Sequence, residues 1–146
     1  MSDIHSKWKH DFINLLTLPH LRITDDGILW EISRSYKINK NTYEESFEYY
    51  NNGVLRDVMF RKNNNLNNLY RHIPADYGYD QDGKLVYIEY AKRGKLHNLK
   101  GYASLYYPPN CNKILTYAIN NVVYTEDEYY KVDKLIKIKA TNSLVK

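Results

Sequence analysis

Cysteine is nearly absent from this chain: Cys111 stands alone among 146 residues. A lone thiol excludes an intrachain disulfide framework and any zinc site built on cysteines alone. Long apolar runs are missing too, and none approaches the ~20 residues that a membrane-spanning helix needs. The opening residues include Asp3, His5, Lys7, Lys9, His10 and Asp11, with no apolar stretch of the kind a signal peptide carries. These absences lead to the expectation of an intracellular, cytoplasmic protein, in the host cytoplasm or virion if the source is viral. Strong charge of one sign is lacking as well. The net charge is +4, from 21 Lys and Arg against 17 Asp and Glu, a balance that permits nucleic-acid contact without demanding it. No P-loop, Gly-x-Gly-x-x-Gly, His-Glu-x-x-His, EF-hand or Gly-x-Ser-x-Gly occurs.

What the chain does hold is tyrosine and asparagine, 16 of each, with 15 Lys and 12 Ile. All four are encoded by AT-rich codons, which hints at an AT-rich source such as a large DNA virus, a phage or an AT-rich microbe. The length suits one domain, 1–146, and folding at that size removes about 70% of the unfolded chain's surface from water. Residues 3–18 carry Ile4, Trp8, Phe12, Leu15 and Leu16 at helical spacing, which predicts an amphipathic helix ended by Pro19 and docked on the rest of the fold through residues 1–20. Over residues 21–124 the period changes to that of short strands, expected over 28–37, 43–50, 54–61, 84–91, 103–107 and 114–119. Asp25-Asp26-Gly27, Asn51-Asn52-Gly53, Asp82-Gly83 and Arg93-Gly94 punctuate them as turns. Thr125 and Glu128 form a capping box before a closing helix and tail over 125–146. The fold class expected is therefore mainly β: antiparallel hairpins repeated into a meandering sheet, with a helix at each end.

The hairpins read as an internal repeat. Phe47–Asp57 aligns without a gap with Ile88–Asn98 and with Leu115–Thr125, each as strand, turn and strand. Glycines 27, 53, 83 and 94 are each followed two residues later by leucine, and Leu69, Leu96 and Val123 recur every 27 residues. A single hairpin is marginal in water, so such units must pair or stack. Within the middle unit, Gly94-Lys95-Leu96-His97-Asn98-Leu99-Lys100-Gly101-Tyr102-Ala103 resembles the G-x-L-H-R-x-D-G-P-A repeat of MORN-variant proteins, a family of large DNA viruses, phages and some bacteria. Asn98, Lys100 and Tyr102 stand where that pattern has Arg, Asp and Pro. The preceding unit, Leu69-Tyr70-Arg71-His72-Ile73-Pro74-Ala75, keeps the Arg and the Pro-Ala. The resemblance covers residues 45–131 and implies an extended hairpin sheet serving as an interaction surface, with lipid contact in some members and no general catalytic signature.

Three classes of function follow. The first is a non-enzymatic protein-interaction or virion-assembly module that binds a protein partner or another copy of itself. Its candidate contact residues are Tyr90, Lys92, Arg93, Lys95, His97, Lys100, Tyr106 and Tyr117, since Tyr and Arg anchor interfaces. The second is single-stranded nucleic-acid binding by the same Tyr, Lys and Arg face. The third is a small nuclease in which His72 and His97 share acid–base work. The plain alternative for the histidines is structural hydrogen bonding beside turns, and for many of the tyrosines it is core packing. No catalytic residue, metal ligand or cofactor is assigned.

Overall fold

The computed structural model describes residues 19–68 and 72–132. The helix expected over 3–18 lies outside them, as does Leu69 of the 27-residue series. Twelve strands follow in chain order: β1 (His20–Ile23), β2 (Leu29–Ile38), β3 (Asn41–Tyr49), β4 (Leu55–Lys62), β5 (Asn65–Leu66), β6 (Asp76–Tyr79), β7 (Leu85–Glu89), β8 (Ala91–Lys92), β9 (Lys95–Leu96), β10 (Ser104–Tyr106), β11 (Ile114–Ile119) and β12 (Val122–Tyr124). A helix, α1, covers 126–132. The main sheet runs β1-β2-β3-β4-β6-β7-β10-β11-β12, with β5 paired to β4 and β8 to β9 as short hairpin arms. Every ladder is antiparallel. The protein is a meander of hairpins, as its alternation and turn chemistry predict.

Alternation sorts the two faces, because neighbouring residues of a strand point to opposite sides. Leu21, Ile32, Phe47, Val58, Tyr77, Ile88, Leu105 and Leu115 stand directly opposite one another across eight strands. The adjacent row, on the other face, reads Arg22, Glu31, Glu48, Asp57, Gly78, Tyr87, Tyr106 and Ile114. In these rows one face is apolar and the other polar and acidic, with the Arg34–Glu45 pair set one row further along the apolar side. Val58, Phe60, Leu105, Tyr36 and Tyr117 of the apolar face are buried, and full burial of one such side chain is worth about 1.5–3 kcal/mol.

Turns of two different kinds occupy the two rims. At the first rim the chain reverses through loops closed by a left-handed residue, Gly27, Gly53 or Gly83. The N–H of each glycine donates to the carbonyl three residues back, and Thr24, Tyr50 and Asp80 in turn donate to the residue after the glycine. The ladders slip by one residue beside each loop, the bulge expected when a type I turn is followed by a left-handed residue. At the opposite rim, two-residue tips pair Lys62 with Asn65, Lys92 with Lys95 and Ile119 with Val122. Both central residues of each are left-handed: Asn63-Asn64, Arg93-Gly94 and Asn120-Asn121, the signature of type I′ turns. A fourth tip joins β2 to β3 through Asn39-Lys40.

This corrects the repeat alignment. Residues 88–98 and 115–125 are equivalent, but 47–57 belongs to the other rim. Its equivalents are 21–31 and 77–87, and the missing partner of the Gly94 unit is 58–68. Leu66, Leu96 and Val123 hold matching places after their tips, so the spacing is 30 and then 27 residues. Gly-x-Leu follows both turn kinds, because each needs a left-handed residue and then an apolar strand position. That local pattern therefore cannot separate them.

α1 starts as expected. The Thr125 Oγ1 accepts from Glu128 N–H at 3.3 Å while Glu128 Oε2 accepts from Thr125 N–H at 2.9 Å. This reciprocal pair closes a capping box.

Candidate interaction surface

The tips of the second rim are knitted into a row. Asn63 N–H donates to Thr42 O, and Thr42 N–H donates back to Asn63 Oδ1 at 2.9 Å. Gly94 N–H reaches Leu66 O, and Arg93 N–H reaches Asn67 Oδ1 at 3.1 Å. Asn121 N–H reaches Leu96 O, and Leu96 N–H returns to Asn121 Oδ1 at 2.6 Å. Asparagine serves twice here: it tolerates the left-handed backbone, and its amide copies the peptide hydrogen bonds of the ladder.

The residues expected to make contacts divide in three. Lys92, Arg93, Lys95 and Lys100 are exposed. The first three crowd one tip, with Lys92 directly opposite Lys95. Tyr106 is also exposed, on the acidic face beside Tyr87 and Ile114. Tyr90 and His97 are half-buried and engaged within the fold. The Tyr90 ring meets Tyr102 edge-on, centroids 6.1 Å apart, and burial raises its pKa, with Tyr102 adding to the effect. His97 Nδ1 accepts from Asn120 N–H at 3.2 Å, and burial, helped by the charge of Lys92, holds its pKa below the usual imidazole range.

Tyr117 is a correction. It is 7% exposed and packs with Ile119 and Tyr129, so it is a core residue and not a contact anchor. Its hydroxyl donates to Glu126 Oε1 at 2.8 Å, and that bond, with burial, pushes its pKa up to about 12. The register explains the placement: Tyr117 lies opposite Tyr124 on the inward face of the last hairpin, under α1. Tyr129 is fully buried, its hydroxyl donating to Asn98 O and accepting from Gly101 N–H.

The histidines proposed for nuclease chemistry have different settings. His72 is exposed, and His97 is committed to its backbone donor. Among the described residues no group of three or more His, Cys, Asp or Glu could hold a metal ion. No described helix is long and apolar enough to cross a membrane.

Two features were not read from the sequence. The first is the apolar exposure at the ends of the sheet: Leu21 and Ile23 on β1, then Ile114, Leu115, Val122 and Val123 on β11 and β12. The second is a polar triad at the sheet's centre. Tyr87 Oη lies within hydrogen-bond reach of Asp57 Oδ1 and, at 2.9 Å, of Asp76 Oδ1. One hydroxyl has one proton to give, so a second proton must sit on a carboxyl if all three oxygens are to be satisfied. Burial, then the charge of Asp57, raises the Asp76 pKa to about 7, and burial also pushes the Tyr87 phenol up. Gly78 had marked the spot, since it stands opposite Tyr87 and leaves the ring its space. Comparison of the chain with family models, curated proteins and solved structures found no match.

Proposed function

We propose that this protein is a non-catalytic interaction and assembly module that works by adding a strand to an open edge of its sheet. The observation that carries this reading is the exposure of β1. All four of its residues are exposed, Leu21 and Ile23 to 50% and 56%, and among the described residues one side of its backbone is unpaired. Such an edge is a ready template for another chain unless it is blunted. The partner is a second copy. Nine alternating strands form the main path, so β1 and β12 point the same way. An antiparallel continuation therefore joins like edges by a two-fold axis, which closes the assembly as a dimer. The likeness of the Gly94–Ala103 segment to MORN-variant repeats agrees with such a role, and assembly within a virion is the setting it would suggest.

Light scattering over a concentration series tests the reading. A concentration-dependent dimer that Leu21→Lys with Ile23→Lys abolishes, the monomer remaining folded by circular dichroism, is the expected result. A wild-type chain that stays monomeric at every concentration overturns it, as does a dimer that both substitutions leave intact.

A further inference from the structure

The two rims carry opposite charge. The four two-residue tips, residues 38–41, 62–65, 92–95 and 119–122, hold Lys40, Lys62, Lys92, Arg93 and Lys95 and no acid. The loops of the first rim, the 107–113 loop between β10 and β11 included, hold Asp25, Asp26, Asp80 and Asp82 against Lys84 and Lys113. In sequence the two sets alternate, and so the net charge conceals them. The hairpin meander separates them, because successive reversals fall on opposite rims.

The geometry points to the basic rim as a binding ridge for the phosphate backbone of a nucleic-acid strand. Among the described residues its cations make no ion pair: Lys40, Lys92, Arg93 and Lys95 are exposed, and the ion pairs involve Arg22, Arg34 and Arg61 instead. Lys62 is held over the Tyr43 ring, its Nζ 5.5 Å from the centroid, which leaves its charge unneutralised. The tips are fixed to one another by the asparagine bonds already described, so little ordering remains to be done on binding. Neighbouring tips lie two strands apart, about 10 Å, so three of them line up positive charge over about 20 Å. Adjacent phosphates of one duplex strand advance about 3.4 Å along the axis, and such a ridge therefore spans about six of them. Asn39 and Asn64 are exposed between the cations and supply neutral donors that suit phosphate and sugar oxygens. Apolar side chains that would enter a bilayer are missing from these three tips, apart from half-buried Ile38. That favours a linear polyanion over a lipid surface. The ridge ends at the last tip, residues 119–122, which carries no cation.

Fluorescence anisotropy with a labelled 20-base single strand, with the matching duplex, and sedimentation with phosphatidylserine vesicles tests this. The expected result is oligonucleotide binding at low salt whose log affinity falls with log salt with a slope of about −3.5 for a single strand, from about −0.7 for each phosphate neutralised by the five cations. Arg93→Asn with Lys92→Gln and Lys95→Gln, which keeps a left-handed-tolerant tip, should flatten that slope by about 2. Lys84→Gln on the acidic rim should leave it unchanged. No oligonucleotide binding at low salt overturns the proposal, as does binding to vesicles alone. Binding that the tip variant leaves unaltered, with its circular dichroism that of the wild type and its melting no lower, overturns it too. Because the dimer rests on β1 and this ridge on the tips, Leu21→Lys with Ile23→Lys should spare nucleic-acid binding.

Discussion

At the scale of single residues, Gly78 is the glycine with least room for a side chain. A Cβ added there would meet Tyr87 Cε1 at 2.5 Å and the Arg56 carbonyl oxygen at 3.1 Å. Gly78→Ala should therefore cost about 1–3 kcal/mol in a denaturant titration, as overpacking usually does. Combining it with Tyr87→Ala should cost less than the two separate losses together. The proton of the Asp57–Tyr87–Asp76 group makes a second prediction. The unfolded chain releases the Asp76 proton near the ordinary carboxylate range, whereas the folded chain holds it to about pH 7. The stability it contributes is complete below the ordinary range, declines as the pH rises from about 4 to about 7 and is gone above that. No lysine or arginine sits next to the group in its rows to reverse the sign. Glu48 lies opposite Asp57, Glu89 lies opposite Asp76, and Arg22 at the row's far end pairs with Glu31 at 3.3 Å. Asp76→Asn should flatten the fall in unfolding midpoint between pH 4 and 7 and be more stable than the wild type at pH 8. Equal slopes for the two proteins would refute the assignment.

At the scale of elements, the tips govern which strands meet. Arg93 holds a left-handed backbone at φ 54°, a conformation that costs a residue with a large side chain about 1 kcal/mol. Arg93→Asn should raise stability by about 0.5–1 kcal/mol in a thermal melt, for asparagine bears that conformation more easily. Asn121, at φ 68°, also gives its Oδ1 to Leu96 N–H. Asn121→Ala loses both advantages and should cost about 1–2 kcal/mol, with Asn121→Gly costing less because only the bond is lost. The long strands β2, β3 and β4 were legible in the sequence to within a residue or two, since apolar alternation is strong there. β6, Asp76-Tyr77-Gly78-Tyr79, was not. Asp and Gly disfavour strands, and only the ring of Tyr87, brought across from β7, gives Gly78 its purpose. β1 was missed for a related reason: its four residues are a strand only because β2 pairs with them.

At the scale of the whole molecule, the described residues form one long meandering sheet, with α1 packed at one end of it. Amide exchange should be slowest in β4, β6 and β7, which have a neighbour on each side and include buried Val58 and Gly78. It should be fastest in β1, the exposed edge. Uniform protection across the strands would contradict a sheet stabilised from its centre. The candidate contact residues were half legible at this scale. Exposed lysines beside a turn glycine can be read from sequence, so Lys92, Arg93 and Lys95 fall where expected. Tyr117 cannot be told from Tyr106 by type or by neighbours, because burial depends on which face the register gives each ring.

The sequence by itself determined the kind of fold. Period-two alternation, asparagine and glycine at reversals and the Thr125–Glu128 cap are local signals, and local signals survive in a linear string. Tertiary structure alone decided which turns share a rim, which tyrosines are core and where the charges collect. Each of those follows from strand register, and register is a relation between residues far apart in the chain: one step of slip would exchange the apolar and acidic faces throughout.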